Sequence, residues 1–315
     1  MLSLFKRARR TGSQLGVFVT ADGVAVAQVG ASPPGRKPRL ERCAYETRAM
    51  TRGETRGDDD AIARVMGNLP GRRRSTVSVL DPVGYHLLLV EAPDVPAEEL
   101  RAAVRWRIKD LIDFHIDDAV IDVFEMPRHA RGGTNRMMYA VTAKADFVKQ
   151  QIDLIENAGL ELDVIDIPEL TLRNLATLLE TEQRGTAFLH LGDRRSTLLL
   201  VRQGVLYLAR HVETGALTLA DAGEMRRDLV AGLALEARRS LDYFESHYEQ
   251  TSIPQLYTSG LEPQDLQWLA QDLGIVVREV ELASIFETTE SIPADVQRRC
   301  LPAVGAALRH DPVAL

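Results

Sequence analysis

A strand–turn–strand unit occurs twice in this chain, once in each half. Residues 15–29 read LGVFVTADGVAVAQV and residues 186–201 read TAFLHLGDRRSTLLLV. Each is an apolar run, a short polar turn and a second apolar run. The turns are Thr20-Ala21-Asp22-Gly23 and Gly192-Asp193-Arg194-Arg195-Ser196. Asp-Gly between β-rich runs favours a tight hairpin, because both residues tolerate the backbone angles such a turn needs. A hairpin opening each half outlines a duplicated, two-lobed domain. The alternative is two ordinary hairpins in an unrelated α/β protein.

Composition narrows the class. At 315 residues with 45% hydrophobic and 5% aromatic content, the chain reads as a globular α/β protein. Cys43 and Cys300 are its two cysteines and have no metal-ligand spacing, so a reduced, cytoplasmic setting is expected. No run is long enough to span a bilayer, and the start lacks an apolar signal core. Residues 1–80 carry 15 Lys/Arg against 7 Asp/Glu, and the remainder 23 against 38. The basic excess starts at Lys6-Arg7-Ala8-Arg9-Arg10, so residues 1–11 read as a basic N-terminal tail. That tail either touches an anionic membrane surface or is a solvated terminus. Arg72-Arg73-Arg74 reads as a solvated loop. Without aromatic interleaving, and in an acidic whole, no nucleic-acid binding is expected.

Periodicity places the elements. Strands are expected at 16–20, 24–29, 40–47, 76–80 and 85–91, with a helix at 60–68 between the third and fourth. A helix at 97–112 starts with Glu98 and Glu99, which suit the positive end of a helix dipole. Paired strands at 120–126 and 136–142 flank a turn at 131–135. A helix at 146–158 ends at Gly159, a strand follows at 161–167, and Pro168 opens a helix at 169–180. The second half adds strands at 205–212, 255–258 and 275–280 and helices at 229–247, 263–273 and 297–309. Strands alternating with helices give the α/β class.

In this order the residues resemble the PilM family, the actin-like cytoplasmic proteins of type IV pilus assembly. The branch they resemble most is MshI of the mannose-sensitive haemagglutinin (MSHA) pilus. The most specific stretch is 87–124, LLLVEAPDVPAEELRAAVRWRIKDLIDFHIDDAVIDVF, an apolar strand, a Pro, a paired-Glu helix start and an Asp-containing strand. Asp113 stands where that family usually has Pro. Residues 139–143, 158–160 and 164–167 match the next family segment. LEARRSLDYF at 235–244 and LPAVGAALR at 301–309 resemble the family's long and closing helices. The resemblance implies an actin-like, ribonuclease H-like fold of two lobes. The first lobe is placed at 12–182, with a small α+β subdomain inserted at about 81–158, and the second at 183–315.

In that superfamily the two turns face each other and clasp the phosphates of a nucleotide. This chain departs from the pattern. Phe18 stands at the first Asp position, Thr20 at a Gly position, and no Lys follows. His190 replaces the second Asp, although Gly192 remains, and Thr258-Ser259-Gly260 keeps one glycine of the adenosine motif. The residues left to line a degenerate nucleotide cleft are Thr20, Asp22, Gly23, Gly192, Asp193, Ser196, Glu236, Arg239 and Gly260. Arg194 and Arg195 either meet phosphate there or form a solvated loop. ATP with Mg²⁺ is the ligand such a cleft would take; the expectation is no bound cofactor, no metal and no hydrolysis. His190, inside an apolar strand, reads as a satisfied core or cleft histidine.

The resemblance implies a non-catalytic scaffold, peripheral at the cytoplasmic face of the inner membrane. Its partner would be the N-terminal tail of a PilN-like single-span protein, with other platform proteins and the assembly ATPase around it. Leu87, Leu89 and Trp106 are the candidate tail-binding residues; Trp106 reads first as a core residue of an amphipathic helix and second as an aromatic anchor. Two other functions remain open. One is a nucleotide-regulated actin-like ATPase. The other is a cytoplasmic module like that of GspL in type II secretion, which carries a membrane span and a periplasmic domain that do not follow here.

Overall fold

The computed structural model describes residues 13–30, 32, 35–47, 57–66, 75–96, 98–127, 136–180, 183–248, 251–288 and 291–309. The basic tail, Arg72-Arg73-Arg74 and the turn at 131–135 lie outside them. The chain opens with β1 (Gln14–Val19), β2 (Gly23–Gly30), β3 (Arg39–Thr47), α1 (Gly57–Met66) and β4 (Ser75–Val79). An excursion follows through β5 (Tyr85–Glu91), α2 (Leu100–Ile108), β6 (Ala119–Glu125), β7 (Met137–Lys144) and α3 (Ala145–Asn157). The chain then returns through β8 (Glu161–Asp166) into α4 (Pro168–Leu179). The second half runs β9 (Thr186–Leu191), β10 (Ser196–Arg202), β11 (Val205–Val212), α5 (Ala216–Ala220), α6 (Arg226–Tyr248) and β12 (Gln255–Ser259). It ends with α7 (Pro263–Leu273), β13 (Val276–Glu279), α8 (Leu282–Ile285) and α9 (Ala294–Ala307).

Two five-stranded sheets repeat one topology. Their orders are β3-β2-β1-β4-β8 and β11-β10-β9-β12-β13. In each, the first three strands in sequence are antiparallel neighbours, and the last two run parallel to the first. Every residue of β2 and β9 is buried, which accounts for their continuous apolar runs, since a strand covered on both faces has no solvent side to alternate with. The protein has the actin-like, two-lobed α/β fold.

The lobes are joined by exchanging helices. Helix α4 follows the first sheet but packs on β9, β10 and β11, whereas α9 follows the second sheet but packs on β1 to β4. The two helices also pack on each other, and one core cluster runs through both lobes. Close approach is possible because of glycine. A Cβ on Gly16 of β1 would sit 1.9 Å from the Ala303 carbonyl oxygen, and one on Gly305 would sit 2.0 Å from that of Thr171.

The excursion forms a separate three-stranded antiparallel sheet of order β5-β7-β6. Helix α2 covers one face, packing Val104 and Ile108 on Val90, Met138, Ala140 and Val123. The opposite face, with Tyr85, Tyr139 and Val141, joins the interlobe core. Helix α3 packs on β8 and α1 of the first lobe as well as on β7 and β6 of this sheet. Several boundaries differ from the expected ones. Helix α2 starts at Leu100, with Glu99 as a cap residue that makes no side-chain cap bond. Helix α6 begins at Arg226 and α9 at Ala294. The short helices α5 and α8 lack enough turns to show a helical period, so the pattern does not reveal them.

Candidate functional site

Both hairpin turns open onto one cavity of about 140 Å³. Thr20, Asp22 and Gly23 line it from the β1–β2 turn, and Gly192, Asp193, Arg194 and Arg195 from the β9–β10 turn. Phe18, Tyr45, Asp81, His190, Arg298 and Arg299 are also on the wall. Each turn is placed by its strand pairing: β1 registers with β2 up to Val19↔Val24, and β9 with β10 up to Leu191↔Ser196. The parallel strand beside each sheet's first strand leaves both turns at the same end of the molecule, the carboxyl end of β1 and β9.

An ion-pair network occupies the floor. Arg298 Nη2 donates to Asp193 Oδ1, and Arg299 Nη1 to Asp193 Oδ2, both at 2.8 Å. Arg298 also donates to the Leu191 carbonyl at 3.1 Å and to Asp295 at 2.8 Å. Arg299 reaches the Tyr45 hydroxyl of β3 at 2.8 Å and lies over its ring. Since α9 and Tyr45 pack on the first lobe, these contacts fasten the second-lobe turn to it. His190 Nδ1 and Ser259 Oγ share a hydrogen bond of 2.8 Å. Burial, helped by the Arg298 charge, pushes the His190 imidazole down to about 3, so the ring is neutral.

The lining does not fit a magnesium nucleotide. Each carboxylate on it is engaged: Asp193 by two guanidinium groups, Asp81 by the Val83 and Ala21 amides, and Asp22 by Arg194 at 3.8 Å. Phe18 stands on the first wall without a charge. Four of the nine expected lining residues are elsewhere in their contacts. Ser196 is buried, donating to the Thr214 carbonyl at the foot of the turn. Gly260 gives its amide to Glu279, and a Cβ there would lie 2.1 Å from Arg298 Cδ, so the arginine occupies the approach to the retained glycine. Glu236 binds Arg210 of β11 and Arg239 of its own helix, at 2.9 and 2.7 Å, away from the cavity. The Arg210 hydrogen bond holds its carboxyl below the usual range. Among the described residues, no group of three His, Cys, Asp or Glu is arranged to hold a metal.

The three candidate tail-binding residues do not share a surface. Leu87 and Leu89 point from β5 to the face that carries Tyr139 and Phe124, opposite the second lobe. Trp106 projects outward from α2, which covers the other face. Leu89 is 48% exposed and Trp106 71% exposed, so Trp106 is not the core residue of the amphipathic-helix reading. The inner face meets β11 through two polar contacts. The Ala209 amide donates to the Tyr139 hydroxyl at 3.1 Å. Glu169, fully buried at the start of α4, accepts from the Tyr85 hydroxyl at 2.6 Å and pairs with His211 Nε2 at 2.7 Å. Burial and the Glu169 charge hold the Tyr85 phenol well above its ordinary range.

Sequence reasoning missed Arg298, Arg299, Tyr45, Glu169 and His211. The pair Arg298-Arg299 beside the apolar run 300–308 was a usable signal, because adjacent cations entering a buried helix need partners. Glu169 carried no such signal, since a first-turn acid usually faces solvent.

No family model matches the chain, and no curated protein does. Solved structures do. A chain of a PilM-PilN type IV pilus biogenesis complex superposes with a TM-score of 0.72 at 20% identity, covering 95% of this chain and 98% of that one. The ethanolamine utilization protein EutJ from Carboxydothermus hydrogenoformans gives 0.51 at 11% identity, over 98% and 93%. The cytoplasmic domain of EpsL, an inner-membrane component of the Vibrio cholerae type II secretion system, gives 0.46 at 16% identity, over 82% and 94%. At these identities the likeness is one of fold. No described helix is long and apolar enough to cross a membrane.

Proposed function

We propose that this chain is a PilM-type scaffold of a type IV pilus machine, of the MSHA kind. It holds the N-terminal tail of a PilN-like single-span protein at the cytoplasmic face of the inner membrane, beside other platform proteins and the assembly ATPase. The observation that carries this reading is the superposition on the chain of the PilM-PilN complex over nearly the full length of both. The arginine-filled cleft supports a role without nucleotide turnover. In this reading residues 12–182 and 183–315 are the two lobes, and the inserted subdomain lies within 81–158.

The tail has a place to bind on the inner face of the three-stranded sheet. There β5 is an edge strand and presents the half-exposed Leu89 beside Leu87 and Phe124. An edge strand offers unpaired backbone groups and alternate side chains, which is what an extended peptide needs. The test is anisotropy with a labelled peptide from the cytoplasmic start of the neighbouring single-span pilus protein. Leu89→Asp should weaken binding at least about tenfold, the loss of one hot-spot side chain. Trp106→Ala, on the far side of the sheet, and Asp272→Asn, on α7, should leave it unchanged. A tail that needs Trp106 and tolerates Leu89→Asp would place the contact on the outer face and overturn this mode. Glu236 is a poor control, because it holds Arg210 close to Tyr139.

A further inference from the structure

The chain's two cysteines lie at positions 43 and 300, yet the fold brings them side by side. Cys43 is on β3 and partly exposed; Cys300 is on α9 and fully buried. The Cys300 thiol lies 3.3 Å from the Ala44 carbonyl, next along β3, and its side chain is in hydrogen-bond contact with that of Cys43. Both pack in the core cluster that runs between the lobes. We propose that Cys43 and Cys300 form a reversible disulfide that pins α9 to β3 and thereby fixes the Arg298–Asp193–Arg299 clasp.

The chemistry balances with a low-molecular-weight disulfide as oxidant. Cys43, the partly exposed residue of the two, attacks as the thiolate, forming a mixed disulfide and releasing one small thiolate, which takes up the Cys43 proton. Cys300 then attacks the Cys43 sulfur and expels the second small thiolate, which takes the Cys300 proton as it leaves. Two protein thiols are oxidised and one small disulfide is reduced to two thiols. Because the second step occurs between neighbouring side chains, Cys300 needs no access to solvent. The hydrogen bond to Cys43, with burial, holds the Cys300 thiol well above its ordinary range, so it is a poor first nucleophile and acts as the resolving sulfur. Intracellular disulfides of this sort are typically transient and redox-sensing. The consequence is mechanical: Arg298 and Arg299 immediately precede Cys300 on α9, so fixing that turn of helix fixes the clasp.

The test uses the full chain equilibrated with oxidised glutathione and followed by intact mass. The expected product has lost two hydrogens, carries no glutathione, yields a peptide linking positions 43 and 300, and reverts with dithiothreitol. Cys300→Ser should instead retain glutathione at Cys43, and Cys43→Ser should not react. Hydrogen exchange at the 192–196 turn should slow in the oxidised chain. Glutathione remaining on Cys43 while Cys300 is present, or a link that forms only in urea, would overturn the disulfide. Unchanged exchange at the turn in a fully linked chain would overturn its action on the clasp.

Discussion

Arg298, near the start of α9, and Asp193, in the second hairpin turn, meet at 2.8 Å with only 6% and 15% of their side chains exposed. The same carboxylate binds Arg299, whose side chain is 18% exposed. Asp193 is therefore the largely buried carboxylate facing two largely desolvated cations, which the exposed Asp295 also contacts, at the point where the second lobe meets the helix seated on the first.

Removing that carboxylate should cost far more than removing its neighbour. Asp193→Ala leaves both guanidinium groups short of a partner in a buried setting, and urea unfolding should show a loss of about 3 kcal/mol. Asp295→Ala removes a partner that is 64% exposed, and the loss should stay below about 1 kcal/mol. Equal losses would mean that the clasp is not the contact that matters.

A buried group and a half-buried one should set opposing pH dependences. His190 falls from 6.5 to about 3 on folding. The unfolded chain then binds more protons between those values, so stability drops as pH falls through that window. Burial raises Glu279 from 4.5 to about 7. The folded chain binds more protons there, so its contribution is lost as pH rises from 4.5 to 7. The two slopes offset each other between about pH 4.5 and 6.5. Glu279→Gln should unmask a rise in stability with pH of up to about 1.4 kcal/mol per unit. His190→Gln should leave a fall instead. A flat profile in both variants would contradict the assigned protonation states.

The helix crossing depends on backbone approach. Gly305→Ala places a methyl 2.0 Å from the Thr171 carbonyl oxygen, and neither helix backbone can move without disturbing a sheet. Overpacking of this kind should destabilise by about 3 kcal/mol. Gly232→Ala in α6 meets nothing within 4 Å, and should stabilise by roughly 0.5–1 kcal/mol through helix propensity alone. Thermal melts of the two variants should move in opposite directions.

Mg-ATP should give no heat of binding at submillimolar concentration in calorimetry, since Arg298 fills the approach to Gly260 and Asp193 is already neutralised. Micromolar binding abolished by Gly192→Arg would show that the network yields to phosphate and would favour a nucleotide-regulated protein.

The duplicated hairpins and the strand–helix alternation determined the two-lobed fold, because a period of two or 3.6 residues and an Asp-Gly turn are local properties of the chain. The positions of Thr20, Asp22, Gly23, Gly192 and Asp193 on the cleft followed from the same local signals. Tertiary structure decided what that cleft contains. Arg298 and Arg299 reach Asp193 because α9 crosses to the other lobe, a relation between residues more than a hundred positions apart that no local pattern encodes. It also decided that Leu89 and Trp106 face opposite ways. Both are apolar residues on neighbouring elements, and only the packing of α2 on the Leu88–Val90 face of β5 assigns each its side. Glu236 shows the same limit: its helix was legible, but its partner Arg210 lies on a strand that the fold, not the sequence, sets beside it.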